Sequence, residues 1–257
     1  MEVHFGRNIR DFHTDWHFHR EWQFVFVTEG ERRIQMRDGA LNLRADELLI
    51  LPPGVVHRGR ATSAPASFQM FNLADGPSPQ WKSFRTTVIR NRALIREFAR
   101  VASQLGPRPG RQDLSDWIAM RLTSLAAANF EFDVPVSKSV LSAPLANSSM
   151  PSQRLIRARC LLDEDFNRRI SLAELAEMAG YSRYHFLRRF QETFGLAPKT
   201  YHLCARLLEA KRLLALGHAV CDVALQLAFS DQSHLGRNFR RVFGLTPGCY
   251  RDSLRNQ

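Results

Sequence analysis

The sequence predicts an α+β protein in which a β-barrel or jelly roll with flanking helices precedes an all-α C-terminal domain. Three observations carry this prediction. Short runs of β-branched and aromatic residues, closed by Gly, Asp or Pro, fill residues 14–60. Helical periodicity replaces these runs after residue 88. One short pattern also occurs twice, at 181–198 and at 229–247, which indicates that one helical unit is built twice.

The predicted strands are the runs WQFVFVTEG, RRIQMRDG and LNLRADELLILPPG. Short strands joined by tight turns are typical of a sandwich or a small barrel. Period-2 alternation places Trp22, Phe24 and Phe26 on one face of the first run and Gln23, Val25 and Val27 on the other. The sequence leaves open which face points inward, and whether the aromatic side chains form core or line a ligand site.

Two amphipathic helices are predicted at 88–105 and 113–127 from apolar residues at helical spacing. Residues 132–150 are rich in Ser, Pro and Ala without a clear period, which is typical of an interdomain linker. The predicted domains are therefore 1–131 and 151–257.

The repeated pattern lies within the C-terminal domain, and its two copies align at an offset of 49 residues. Phe186 and Phe190 of the first copy correspond to Leu235 and Phe239 of the second, and FGLAP corresponds to FGLTP. The spacing of four residues puts each pair on one face of a helix, where it can point into the core.

Each copy is predicted to be a helix-turn-helix unit. Ser171 and Glu174 have the spacing of a capping box at the start of the first helix. Gly180 can end that helix in the left-handed conformation, and Ser182 can cap the next one. The second copy has Ala228 where the first has Gly180. Between the copies, TYHLCARLLEAKRLLALG predicts a helix of about 16 residues, roughly 24 Å long.

The outward faces of the two second helices carry candidate DNA-binding residues. In the first copy these are Arg183, Tyr184, Leu187, Arg188 and Gln191, and in the second they are Gln232, Ser233, Gly236, Arg237 and Arg240. Arg can donate two hydrogen bonds to guanine, Gln can pair with adenine, and apolar groups can touch the thymine methyl. We interpret Arg188 and Arg237 as base readers, although many protein–DNA hydrogen bonds go to phosphates instead.

The charge balance favours an anionic polymer as the partner of the C-terminal half. The chain has 36 Lys and Arg against 25 Asp and Glu, a formal net charge of +11. Residues 151–257 hold 17 basic and 10 acidic residues, or +7. The four cysteines are widely spaced, which argues against a zinc or redox site. No apolar run suggests a membrane span or secretory signal, so a cytoplasmic location is expected.

The C-terminal residues resemble a known family. ARLLEAKRLL, followed by VALQLAFSDQSHLGRNFRRVFGLTPGCYR, is similar to the signature of the AraC/XylS transcription regulators. The resemblance covers about residues 151–252 and implies binding to promoter or operator DNA. It also implies a small-molecule effector, RNA polymerase as a partner of an activator, and a homodimer formed by helices 88–105 and 113–127. The alternative for these helices is that they cover the barrel.

The N-terminal half resembles, more loosely, the cupin-like sensor domain of such regulators through HFHREWQFVFVTEG and LRADELLILPPGVVHRGR. His17, His19, Glu21 and His57 follow the layout of a metal-binding cupin and could hold Zn, Fe or Mn. Glu21 is too close to the histidine pair for the usual spacing, so we expect neither a metal nor another cofactor. The main hypothesis is a non-enzymatic regulator.

Two other classes of function compete with this hypothesis. One is a metal-dependent cupin enzyme with an appended DNA-binding domain. The other is a DNA-repair alkyl acceptor, which would need reactive cysteines in the N-terminal part. Residues 1–150 contain none.

Overall fold

A computed structural model describes residues 2–9, 13–37, 39–60, 62, 65–73, 86–90 and 151–255 of the chain. The chain divides into two compact units, and the division falls between Leu141 and Ser142. The short segment Thr14–His17 groups with the second unit. The predicted linker, 132–150, lies outside the described residues, so the domain boundaries stay a prediction.

The N-terminal unit contains two antiparallel sheets. Its described strands are β1 (Glu2–Ile9), β2 (Trp22–Glu29), β3 (Glu31–Met36), β4 (Gly39–Arg44), β5 (Glu47–Leu51), β6 (His57–Arg60), β7 (Ala66–Leu73) and β8 (Thr87–Ile89). One sheet has the order β1-β7-β2-β5-β8, and the other has the order β4-β3-β6. The predicted β-rich domain is confirmed, and the strands described form two sheets that do not close into a barrel.

The three predicted runs are strands, with two adjustments. The third run forms both β4 and β5, because the chain turns at Asp46, where φ is 64°. Asp tolerates this left-handed conformation better than most residues. The helix predicted from residue 88 is wrong at its start, since Val88 pairs with Leu49 of β5. Residues 91–105 and all of 113–127 lie outside the described residues.

The core of the N-terminal unit shows which face of β2 points inward. Val25 and Val27 pack in one apolar cluster with Ile34 and Leu43 of the other sheet. The Gln23, Val25 and Val27 face is therefore the one that faces the second sheet. The aromatic residues of the opposite face are also buried, with exposed fractions of 6% for Trp22, 0% for Phe24 and 4% for Phe26. These three side chains belong to the core rather than to an open ligand site, while Trp16 is half-buried.

The described part of the C-terminal unit is helical. Its helices are α1 (Gln153–Glu164), α2 (Leu172–Ala179), α3 (Arg183–Phe194), α4 (Pro198–Ala215), α5 (Val220–Gln226), α6 (Gln232–Phe243) and α7 (Pro247–Arg255). None of the helices described is long and apolar enough to cross a membrane.

The predicted helix ends of the first helix-turn-helix unit are confirmed by their caps. Ser171 Oγ accepts a hydrogen bond from the Glu174 amide at 3.1 Å, and Ser182 Oγ accepts one from the His185 amide at 3.3 Å. Gly180 ends α2 with a φ of 65°. Each cap satisfies a backbone group that a helix end would otherwise leave unpaired, so α2 and α3 begin and end where these local rules place them.

The duplication in the sequence is a duplication in the packing. In the first helix-turn-helix unit the ring of Phe190 lies 5.6 Å from that of Tyr201. In the second helix-turn-helix unit the ring of Phe239 lies 5.8 Å from that of Tyr250. Both phenylalanines are fully buried. The apolar residues that recur at an offset of 49 thus build equivalent cores, and they turn the opposite faces of α3 and α6 outward.

The connecting helix α4 has 18 residues rather than about 16, which makes it about 27 Å long. Its Arg206 is buried, and burial lowers the pKa of this guanidinium to about 10. Arg206 Nε donates a hydrogen bond to the Leu227 carbonyl at 2.7 Å, and the guanidinium lies 4.2 Å above the Phe229 ring. A cation at the carboxyl end of α5 is favourable, so Arg206 fixes the turn between α5 and α6 to α4.

Candidate nucleic-acid interface

The outer face of α3 presents four of its five predicted DNA-binding residues to solvent. Arg183, Tyr184, Arg188 and Gln191 are exposed, and Leu187 is half-buried beside the core. Tyr184 has an exposed fraction of 78%, which is unusual for a large aromatic side chain. This face therefore offers hydrogen-bond donors and an apolar ring to a partner surface.

The outer face of α6 has the same layout with different chemistry. Gln232, Ser233, Arg237 and Arg240 are exposed, while Gly236 is half-buried. A Cβ added at Gly236 would meet no atom within 4 Å, so the absent side chain leaves a gap in the middle of this face. Asp231 caps the helix by accepting a hydrogen bond from the His234 amide at 2.6 Å.

The two faces differ in how their arginines are paired. On α3, Arg188 Nε donates to Glu192 Oε1 at 2.8 Å, and this bond raises the pKa of the guanidinium. On α6, neither Arg237 nor Arg240 forms an ion pair within 4 Å among residues 151–255. The pKa of Asp231 is lowered by its hydrogen bond from the His234 amide and, to a smaller extent, by the charge of Arg237. Sequence reasoning missed Glu192, although its position four residues after Arg188 is the spacing at which helical ion pairs form.

Two family profiles match the chain. The AraC-like ligand binding domain matches residues 1–109, and a helix-turn-helix domain matches residues 175–253, a range that contains both α3 and α6. The chain belongs to the AraC family of transcription regulators. The resemblance inferred from the sequence is thereby confirmed. An AraC-family chain of this kind combines a helix-turn-helix DNA-binding domain with an N-terminal ligand-binding domain.

Similar proteins agree with this assignment. The MmsAB operon regulatory protein of Pseudomonas aeruginosa is 25% identical over 264 residues, covering 97% of this chain and 81% of that protein. The HTH-type transcriptional regulator YbfI of Bacillus subtilis is 38% identical over 91 residues, 35% of this chain, and the chain spans only 33% of that relative's length. The structure of ToxT from Vibrio cholerae matches with a TM-score of 0.61 at 11% identity, covering 100% of this chain and 98% of ToxT, which shows a shared fold.

In this AraC-family chain the turn of the second helix-turn-helix unit is strained. Ala228 has a φ of 51°, and the Phe229 amide donates to the Ala224 carbonyl at 2.9 Å. The first unit makes the same bond from Tyr181 to Ala176, also at 2.9 Å, around Gly180. The sequence left open whether α5 continues through Ala228. The structure shows that α5 ends at Gln226 and that Ala228 has the left-handed conformation, in which a Cβ is unfavourable.

Replacing Ala228 by Gly is expected to stabilise the C-terminal unit by about 1 kcal/mol, because Gly adopts a positive φ without a steric cost. Thermal unfolding followed by helical circular dichroism should show a higher midpoint. The matched control is Gly180→Ala, whose Cβ would lie 2.6 Å from Arg154 Nη1 and which should lower the midpoint. A lower midpoint for Ala228→Gly would contradict the strained turn.

The N-terminal unit brings two of the three candidate metal-binding histidines together. His19 and His57 are buried with their ring centroids 5.4 Å apart, while His17, which is also buried, groups with the second unit. Glu21 is not part of this group. His17 Nδ1 lies 2.7 Å from the Asp15 carbonyl, and His57 Nδ1 lies 2.9 Å from the Val55 carbonyl. Two histidines without the Glu21 carboxylate are an incomplete set of metal ligands. The expected absence of a metal remains a prediction.

The described interior between the two sheets also holds polar groups. Arg32 is buried, its guanidinium lies 4.1 Å above the Phe68 ring, and burial lowers its pKa to about 9. The Gln23 amide nitrogen lies 3.0 Å from His19 Nε2 and 3.3 Å from Asn72 Oδ1. The hydrogen bonds of Gln23 to His19 and Asn72 offset part of the free energy that burying these polar groups costs.

The stability of the N-terminal unit is expected to fall as the pH is lowered from about 6.5 to about 4. Burial lowers the pKa of His57 from 6.5 to about 4. The hydrogen bond to the Val55 carbonyl raises this pKa, and the positive charge of Arg32 lowers it. In that window the unfolded chain binds a proton that the folded chain does not, so acid favours unfolding. Thermal unfolding should lose this pH dependence in His57→Gln. An unchanged pH profile in the variant would contradict the assignment.

Proposed function

We propose that the chain is a sequence-specific transcription regulator that binds double-stranded promoter or operator DNA through α3 and α6. The observation that carries this proposal is the repeat itself. Two equivalent cores turn two equivalent helix faces outward, and Arg188 and Arg237 stand at the same place on each. The charge of +7 in residues 151–257 adds a long-range attraction for DNA.

The length of α4 supports binding to two neighbouring segments of the major groove. It separates the two units by a helix of about 27 Å, close to the roughly 34 Å of one DNA turn. Two recognition helices held in this way can enter consecutive major grooves on one face of the duplex. Phosphate contacts would then set the register, and base contacts would set the sequence preference.

The proposal places control in the N-terminal unit. The match to an AraC-like ligand binding domain and the polar interior between the sheets support a small-molecule effector there. RNA polymerase would be a further partner if the regulator is an activator, and a second copy of the chain would be one if it is a dimer. The chain is proposed to act without enzymatic chemistry and in the cytoplasm, where bacterial DNA is found.

The DNA-binding part of the proposal is tested with the fragment 151–257, which contains all seven helices described above. The fragment should bind duplex DNA, and the logarithm of its binding constant should fall linearly with the logarithm of the salt concentration, by about 0.9 for each phosphate contact. A fragment that is helical by circular dichroism and has no salt-sensitive affinity for DNA would refute the proposal.

A further inference from the structure

Within residues 151–255, the ion pair between Arg188 and Glu192 on α3 has no counterpart on α6. Glu192 accepts the hydrogen bond of Arg188 Nε at 2.8 Å and lies 3.7 Å from Arg189 Nη1. At the offset of 49 residues, Arg188 corresponds to Arg237, but Glu192 corresponds to Arg241. The duplication therefore preserves the arginine and replaces its carboxylate partner by a cation.

The ion pair uses Nε of Arg188, and this determines which of its nitrogens can still donate hydrogen bonds to DNA. A guanidinium is planar, and a bond from Nε to a carboxylate fixes the orientation of that plane. The two terminal nitrogens then point forward as a fork, which is the arrangement that donates two parallel hydrogen bonds to O6 and N7 of guanine. Within residues 151–255, the Arg188 side chain donates its hydrogen bond to Glu192 through Nε. Both Nη atoms therefore remain available for a base.

The negative charge of Glu192 acts in the same direction. An arginine beside a carboxylate is a poorer partner for phosphate, because the carboxylate and the phosphate repel each other. The same carboxylate repels the guanine edge much less, because its acceptor atoms carry only partial negative charges. Glu192 and Arg188 are both well exposed, with side-chain exposures of 40% and 67%, so a DNA backbone or base edge can reach them.

We propose that Glu192 is a positioning residue that determines specificity in the first helix-turn-helix unit. It holds Arg188 in the orientation that reads guanine and disfavours a contact of Arg188 with phosphate. This inference rests on the proposed function, since it names how one recognition helix selects its base. The effect is confined to the half-site of α3, because α6 has Arg241 at the equivalent position.

The experiment uses the full-length chain and a duplex selected by it from a random-sequence library, together with duplexes carrying single base-pair changes. Glu192→Gln removes the charge but keeps the side-chain size. We expect its discrimination at one G·C pair to fall about five-fold or more, with an increase in affinity for unrelated DNA. Glu192→Ala should lose at least as much discrimination. Once Arg188 is replaced by Ala, Glu192→Gln should have no further effect on discrimination, because the two residues act together.

Glu164→Gln is the matched control, because Glu164 is an exposed acid on α1, outside both recognition helices. Glu164→Gln removes the same negative charge and should raise the affinity for every duplex alike. If Glu192→Gln does only this, the positioning role is overturned. If the wild-type chain selects a sequence and both Glu192→Gln and Glu192→Ala discriminate as well as it does, this inference is overturned and the proposed function stands. A wild-type chain that selects no sequence overturns the proposed function, and this inference with it.

Discussion

Replacing both Arg188 and Arg237 by Ala is expected to weaken binding to the selected DNA by roughly 30- to 20,000-fold. Each arginine stands on the outward face of a recognition helix, and a bidentate contact with guanine contributes about 5- to 150-fold of discrimination. The two residues lie on separate helices of separate units, so their effects should multiply. Titration of labelled duplex at fixed salt measures the loss.

The single variants show whether these arginines read bases. Arg188→Ala and Arg237→Ala should each relax the sequence preference at one position of the site, and the two positions should lie in different half-sites. If either variant weakens binding equally for all sequences and flattens the salt dependence, that arginine contacts phosphate, and its assignment as a base reader is wrong.

Replacing Phe239 by Ala is expected to lower the free energy of unfolding of the C-terminal unit by about 3–5 kcal/mol. Phe239 is fully buried, and its ring lies 4.6 Å from Phe243 and 5.8 Å from Tyr250. Truncation would leave a cavity at the centre of the second core and release α6. Amide hydrogen exchange of α6 in the full-length chain reports the opening free energy of this unit directly.

The matched control for Phe239 is Tyr184→Ala, which also truncates an aromatic residue of a recognition helix but at an exposed position. Its effect on stability should stay within about 0.5 kcal/mol, whereas its effect on DNA binding should be measurable. A loss below about 1 kcal/mol for Phe239→Ala would contradict the described core.

The helix-turn-helix units were predictable because they depend on local rules. The caps at Ser171 and Ser182 and the turn at Gly180 need only residues a few positions apart. In the second copy the cap of the recognition helix recurs at Asp231, whereas α5 begins after Ala219 without a side-chain cap and Ala228 replaces Gly180. Glu192 was also accessible by a local rule. A carboxylate is not a group that usually binds DNA itself, so the outward face of α3 does not single out Glu192 by its chemistry.

The N-terminal half was less predictable because its contacts are long-range. Strand β7 lies between β1 and β2, and no local pattern specifies either pairing. The short run around Val88 is equally compatible with a strand or a helix, and it became a strand only through pairing with β5. His57 opens β6, which pairs with β3 through Met36, and its ring centroid lies 5.4 Å from that of His19. The spacing of the histidines along the chain suggested a cluster, but it could not predict which of them lie close together in the fold.

Methylation interference of guanines, combined with hydroxyl-radical footprinting of the full-length chain on its selected duplex, tests the central claim most directly. The account predicts two clusters of interfering guanines in the major groove, about one helical turn apart on one face, with Arg188→Ala removing one cluster and Arg237→Ala the other. A single cluster, or protection of the backbone with no interfering guanine, would contradict recognition by two equivalent helices.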